Sequence, residues 1–141
     1  MATRAFINPP GLRRVGTYSH VACARGGVTV YISGQIALDA EGKVIGAGDL
    51  RAQTTQVFEN LRLALEGAGA TFADVVKLTH YVKGLRPELR SIITEVRNRY
   101  VSQTNPPAST MVGTDALVME ELLIEVEAIA VLDEARALHL P

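Results

Sequence analysis

The chain has one cysteine, no apolar run long enough to span a bilayer and no surplus of charge. Each scarcity excludes something. A single Cys23 rules out an internal disulfide and fits a reducing compartment. The opening residues MATRAFINPPG hold no secretory-type apolar stretch, and nothing later reaches transmembrane length, so the sequence predicts a cytoplasmic protein with no membrane partner. Fourteen Lys and Arg stand against 15 Asp and Glu, a net charge of -1, which argues against nucleic acid as a partner. The one local excess of base is Lys83, Arg86, Arg90, Arg97 and Arg99, interleaved with Glu88 and Glu95. Spread along a helix, it reads as a solvated face rather than an RNA-binding one.

What is present is the material of one packed domain over residues 1–141, 48% hydrophobic and without repeats or low-complexity tracts. Residues 18–25 and 28–38 read as strands joined by a tight Gly26-Gly27 turn. In the second strand Val28, Val30, Ile32, Gly34, Ile36 and Leu38 share one face; Thr29, Tyr31, Ser33, Gln35 and Ala37 share the other. Asp49 is a good N-cap for a helix carrying Leu50, Val57, Leu61, Ala64, Leu65 and Ala68 on one stripe and stopped by Gly67 and Gly69. A strand follows at 74–83. A helix begins near Pro87, with Ile92, Ile93, Val96 and Tyr100 on its stripe, and ends before Pro106-Pro107. The last strands fall at about 109–114 and 121–132.

The order β-β-α-β-α-β-β predicts a two-layer α+β domain with two helices on one face of a sheet. The last strand then raises a difficulty. Leu122, Ile124, Val126, Ala128, Ala130 and Leu132 point at the helices, but Leu123, Ile129 and Val131 make the other face apolar too, with Glu125 and Glu127 among them. Two helices cannot cover both faces, so the open face is expected to be covered by further copies of the chain. Each carboxylate there either pairs with an Arg or Lys across the interface or lies at its wet rim, or else is desolvated with a raised pKa and positions a water.

The three histidines form no metal motif. His20 and Cys23 lie on opposite faces of a strand, His80 reads as a core residue, and His139 sits in the tail. Ser33, Ser109 and Cys23 have no base near in sequence and are weak nucleophile candidates. No metal is expected.

Several stretches then line up in order: YSH at 18–20, YISGQIALD at 31–39, FENLRLALEGAGATFADVVKLTHYV at 58–82, PPAST at 106–110 and LLIEVEAIAVL at 122–132. Together they resemble the Rid family, also called YjgF/YER057c or L-PSP endoribonuclease-like. The resemblance implies a chorismate-mutase-like (YjgF-like) fold, a homotrimer, and small-molecule pockets between subunits. It also implies hydrolytic deamination of reactive enamines and imines to 2-oxo acids and ammonia, without a cofactor, because a protonated imine is already electrophilic enough for water.

Carried over by motif, Tyr18 falls at the pocket entrance, and Gly34, beside Ser33, falls where the backbone approaches the ligand. Glu125 matches the glutamate that positions water. Ser109 and Thr110 fall where backbone N–H groups face the ligand. Four positions depart from the pattern. Ala108 stands where deaminating members carry a carboxylate-binding arginine, Thr94 where an asparagine lines the pocket, and His20 where a glutamine follows Tyr-Ser. Pro107 replaces an alanine. The resemblance therefore implies an enzyme of altered specificity acting on a small C–N compound. The alternatives are a non-catalytic ligand-binding or regulatory trimer and, less favoured, a ribonuclease or translation inhibitor.

Overall fold

A computed structural model describes residues 1–137. Two strands, β1 (Thr3–Ile7) and β2 (Val21–Arg25), form a small antiparallel ribbon. Four more build the main sheet: β3 (Val28–Ile36), β4 (Val75–Lys83), β5 (Ala108–Thr114) and β6 (Ile124–Leu132), in the order β3-β6-β4-β5. Among these strands only the β4–β5 pair is parallel, and α2 supplies the crossover a parallel pair requires. Helices α1 (Leu50–Gly67) and α2 (Pro87–Arg97) pack on one face.

The helices start where their sequence signals place them. Asp49 Oδ1 accepts the Ala52 N–H at 3.1 Å, and Pro87 occupies the first turn of α2. Val57, Phe58, Leu61 and Leu65 of α1 meet Leu78 and Val82 of β4 and Ile124, Val126 and Ala130 of β6 in the core. Gln53, buried in this layer, ties loops to the helix: its Nε2 donates to the Gly46 and Glu121 carbonyls, and its Oε1 accepts the Leu123 N–H at 2.8 Å. That satisfies a buried amide which would otherwise be costly.

Two expectations need correction. Gly26 and Gly27 do form a turn with positive φ, but the strands beyond it do not pair with each other. The β2 edge is taken by β1, in register Thr3↔Arg25 to Ile7↔Val21, and β3 pairs with β6 instead. The N-terminus is packed onto this turn: a Cβ on Gly27 would stand 2.4 Å from the Leu132 carbonyl oxygen and 2.7 Å from Ala2 Cβ. The alternation of residues 28–38 is also broken. Ile32 pairs with Ala128 but Gln35 with Val126, so Ser33 and Gly34 together oppose Glu127 in a β-bulge. The strand ends with Ile36 opposite Glu125, and Ala37, expected on the outer face, is fully buried.

Candidate functional site

The open face of the sheet carries the first group of polar residues. Glu125 stands beside Ile36 of β3 and Tyr81 of β4. Its carboxylate occupies the space over the bulge: a Cβ built on Gly34 would lie 2.0 Å from Glu125 Oε1. Gly34 is thus needed to make room for Glu125 itself. Among the described residues Glu125 has no hydrogen-bond or ion-pair partner from another side chain, so its oxygens are free to accept from a water.

Glu127 differs. The Tyr81 hydroxyl donates to its Oε1 at 2.8 Å, and that bond pushes the Tyr81 pKa up. On the neighbouring strands Lys77 Nζ donates to Thr110 Oγ1 at 2.6 Å. Burial pulls the Lys77 pKa down against the opposing pull of Glu127. Tyr31, Ser33, Lys77, Thr79 and Glu127 line a shallow hollow of about 270 Å³ on this face.

The second group sits at the β5 edge. Residues 106–108 form a pinned lip rather than a loose connector. Ser19 donates its N–H to the Pro107 carbonyl at 3.2 Å and its hydroxyl to the Pro106 carbonyl at 2.6 Å. Ala108 pairs with Lys77 and Thr110 with Thr79, placing both on the open face. Ser109 pairs with Leu78 and Met111 with His80, so these two face the helix side. There, a cleft of about 690 Å³ opens between α2, β5 and residues 15–18. Tyr18, Thr94 and Ser109 all line it.

The cleft also holds a residue that the sequence reading assigned to a solvated face. Arg97 is only 4% exposed. Its Nη1 donates to Ser109 Oγ at 3.2 Å, and its Nη2 donates to the Thr17 carbonyl. Burial lowers its pKa, yet a guanidinium stays charged at any ordinary pH. The signal was its spacing: Arg97 lies four residues after Ile93 and one after Val96, on the stripe that faces inward.

The candidate residues therefore fall into two sets. Ser33, Gly34 and Glu125 lie on β3 and β6; Tyr18, Thr94 and Ser109 meet at the far edge, with Ala108 and Thr110 on the other face of the same strand. With strands about 4.8 Å apart, β3 and β5 are separated by about 14 Å. One protomer does not bring the two sets together.

The histidines stay out of both. His20 Nε2 is hydrogen-bonded to the Arg13 carbonyl at 2.7 Å, and its ring meets Tyr18 edge-on. His80 is in the core; its Nδ1–H donates to the Thr110 carbonyl at 2.9 Å and its Nε2 has no partner. Burial pushes its pKa down to about 4. Cys23 is exposed; His139 lies outside the described residues. Among the described residues no three His, Cys, Asp or Glu side chains gather where they could hold a metal, and no helix is long and apolar enough to cross a membrane.

Comparison with known proteins places this geometry. The family model for endoribonuclease L-PSP matches residues 11–132. A RutC family protein of Pyrococcus abyssi is 35% identical over 130 residues, covering 92% of this chain and 98% of its own. A Dermatophagoides farinae protein named 2-iminobutanoate/2-iminopropanoate deaminase is 28% identical, covering 92% of this chain and 97% of its own. The crystal structure of YyfB from Yersinia pestis, a Rid-family protein of unknown function, superposes with a TM-score of 0.79 at 38% identity, covering 92% of this chain and 98% of that one. The chain belongs to the endoribonuclease L-PSP family, the Rid or RutC proteins.

Proposed function

We propose that this protein is a cofactor-independent hydrolase that removes the nitrogen of a small imine or enamine, at pockets formed between copies of the chain in a homotrimer. The observation that carries this reading is the carboxylate of Glu125, unpartnered among the described residues and held over Gly34 on a sheet face that no described element of its own protomer covers.

That face supports the assembly. Tyr31 is 78% exposed, Val112 is exposed, and Leu123 and Ile129 are half-buried, an apolar surface that another copy would cover. The separation of the two residue sets supports a shared site: Glu125, Ser33 and Gly34 from one copy would face Tyr18, Thr94, Ser109 and the 108–110 lip of the next. The distant relative named as an imine deaminase supports the chemistry.

In that pocket a protonated imine carbon meets a water whose proton is accepted by Glu125. The new C–O bond gives a carbinolamine. Glu125 returns the proton to nitrogen and then accepts the proton of the carbinolamine hydroxyl as the C–N bond breaks, so ammonia leaves as the carbonyl forms. Backbone N–H groups at Ser109 and Thr110 stabilise developing charge. Covering the face with a second copy strengthens each of these interactions by excluding water. Domain organisation over the whole chain and a cytoplasmic location belong to the same reading.

A second reading has one observation in its favour: Ala108 presents only a methyl group where carboxylate binding in this family calls for a fork of donors. It is a trimer that binds a small ligand without turnover. The rate of 2-oxo acid formation from enzymatically generated 2-imino acids separates the two. The hydrolase reading expects a rate above the spontaneous one that falls about 10²–10⁴-fold in Glu125→Gln. No rate above the spontaneous one in wild type would leave the binding protein.

A further inference from the structure

Among the described residues Arg97 is a buried cation without a counter-anion. Among the described residues no carboxylate lies within 4 Å of it, whereas other arginines in the fold pair freely: Arg4 and Arg136 with Asp74, Arg62 with Glu59 and Glu66. Its bonds go to neutral groups, the Ser109 hydroxyl, the Thr17 carbonyl and, at 3.4 Å, Asn98 Oδ1. Its Nε is buried and has no hydrogen-bond partner among the described residues. A buried charge in such a position is costly unless something supplies the opposite charge.

The surrounding cleft adds to the imbalance. Glu95, the one acid lining it among the described residues, is engaged by Arg51 at 3.0 Å and Arg99 at 3.7 Å. Arg90, on the same rim, has no ion-pair partner among the described residues. The cleft of about 690 Å³ is therefore a positive hollow lined by hydroxyls from Tyr18, Ser91, Thr94 and Ser109.

We infer that Arg97 binds the carboxylate of a small anionic ligand in this cleft, supplying from α2 the positive charge that Ala108 does not supply from β5. Ser109 links the two positions: it follows Ala108 in the strand, and its hydroxyl touches the Arg97 guanidinium. A side chain at 108 leaves the strand on the open face, whereas Arg97 reaches the same lip from the helix side. The carboxylate end of the ligand would thus lie against α2, Tyr18 and Thr94. The choice of a 2-oxo acid as ligand rests on the hydrolase reading above; the need for an anion at Arg97 does not.

The test is binding, not turnover. Titrate the full-length protein with 2-oxobutanoate and, separately, with butanone, the same chain length without the charge. Measure affinity by calorimetry and follow the arginine Nε–Hε resonances by NMR. Wild type is expected to bind 2-oxobutanoate at least tenfold more tightly than butanone, with a shift of the buried arginine resonance. Arg97→Met, with unchanged thermal melting, is expected to lose at least tenfold in 2-oxobutanoate affinity; Arg97→Lys should recover part of it.

Binding in a folded Arg97→Met equal to wild type would overturn the inference. Should Arg97→Met fail to fold, the wild-type resonance decides: no shift on saturation with 2-oxobutanoate overturns it. Dissociation of the oligomer by Arg97→Met, with no wild-type resonance shift, would assign Arg97 to a carboxylate of another copy and overturn it equally. Arg97-dependent binding with no 2-oxo acid formation would sink the hydrolase reading and leave this one standing. Turnover insensitive to Arg97→Met would do the reverse.

Discussion

Glu125 and Gly34 share one volume: the carboxylate of the first fills the space where the second would carry a side chain. The contact is produced by the bulge at Ser33–Gly34, which gives β3 an extra residue opposite Glu127. Gly34→Ala is expected to keep the fold, because the methyl enters from the open face and not the core. It must displace the Glu125 carboxylate by an ångström or more, and reacting groups misplaced by that much cost on the order of 10²-fold in rate. The check is imine hydrolysis alongside thermal melting. A Gly34→Ala protein with full activity would show that the position of Glu125 does not matter to the chemistry.

His80 sets an acid limit on stability. Its folded pKa of about 4 lies below the ordinary histidine value of 6.5, because burial disfavours the charged ring. Between those two values the unfolded chain binds a proton that the folded chain does not. Stability is therefore full above pH 6.5 and declines as pH falls from 6.5 to about 4. The integrated loss is roughly 3 kcal/mol. Urea denaturation from pH 7.5 to 4.5 is expected to show this slope in wild type. His80→Gln, which can still donate to the Thr110 carbonyl, should lose it. An equal slope in both proteins would place the acid sensitivity elsewhere, though not at Asp74, whose carboxyl is ionised in the folded and unfolded chain alike across this range. Burial works to raise that carboxyl, but its bond to Arg136 and the Thr71 N–H outweigh it and hold its pKa below the ordinary value.

Ala108→Arg tests how the lip handles a carboxylate. The Ser19 bonds to the Pro106 and Pro107 carbonyls hold the backbone there, so a side chain at 108 leaves in a fixed direction. The substitution is expected to raise turnover of 2-imino acids, such as those from serine or threonine dehydration. The gain should be larger in an Arg97→Met background than in wild type, where Arg97 already offers a positive group. An equal gain in both backgrounds would show that the two positions act on different ligands. No gain in either would show that position 108 does not reach the site.

Much of this was legible in the residues. Asp49 and Pro87 mark the helix starts because capping and first-turn geometry are local. The alternation of Leu122 to Leu132 exposes the buried face because strand periodicity is local too. What escaped depends on partners distant in sequence. The strand Thr3–Ile7 is short and alternates only between exposed and half-buried, and its pairing is decided by contact with Val21–Arg25. The bulge at Ser33–Gly34 is visible only once β6 is paired in register. Arg97 looked like one of several surface bases because charge spacing along a helix does not reveal which turn meets another element. Its place on the Ile93 stripe was the one available sign.

The most direct test of the shared pocket is complementation between damaged subunits. Glu125→Ala removes the carboxylate proposed to position water, and a Tyr18→Ala, Ser109→Ala double variant alters the other half of the proposed pocket. Each is unfolded and refolded alone, then the two are unfolded and refolded together, with light scattering to establish the oligomer and 2-oxo acid release as the readout. The account predicts homotrimers throughout, each parent nearly inactive, and activity in the mixture well above either, because some interfaces pair an intact Glu125 with an intact Tyr18 and Ser109. A mixture no more active than its parents, or a monomer that turns over imines by itself, would contradict it.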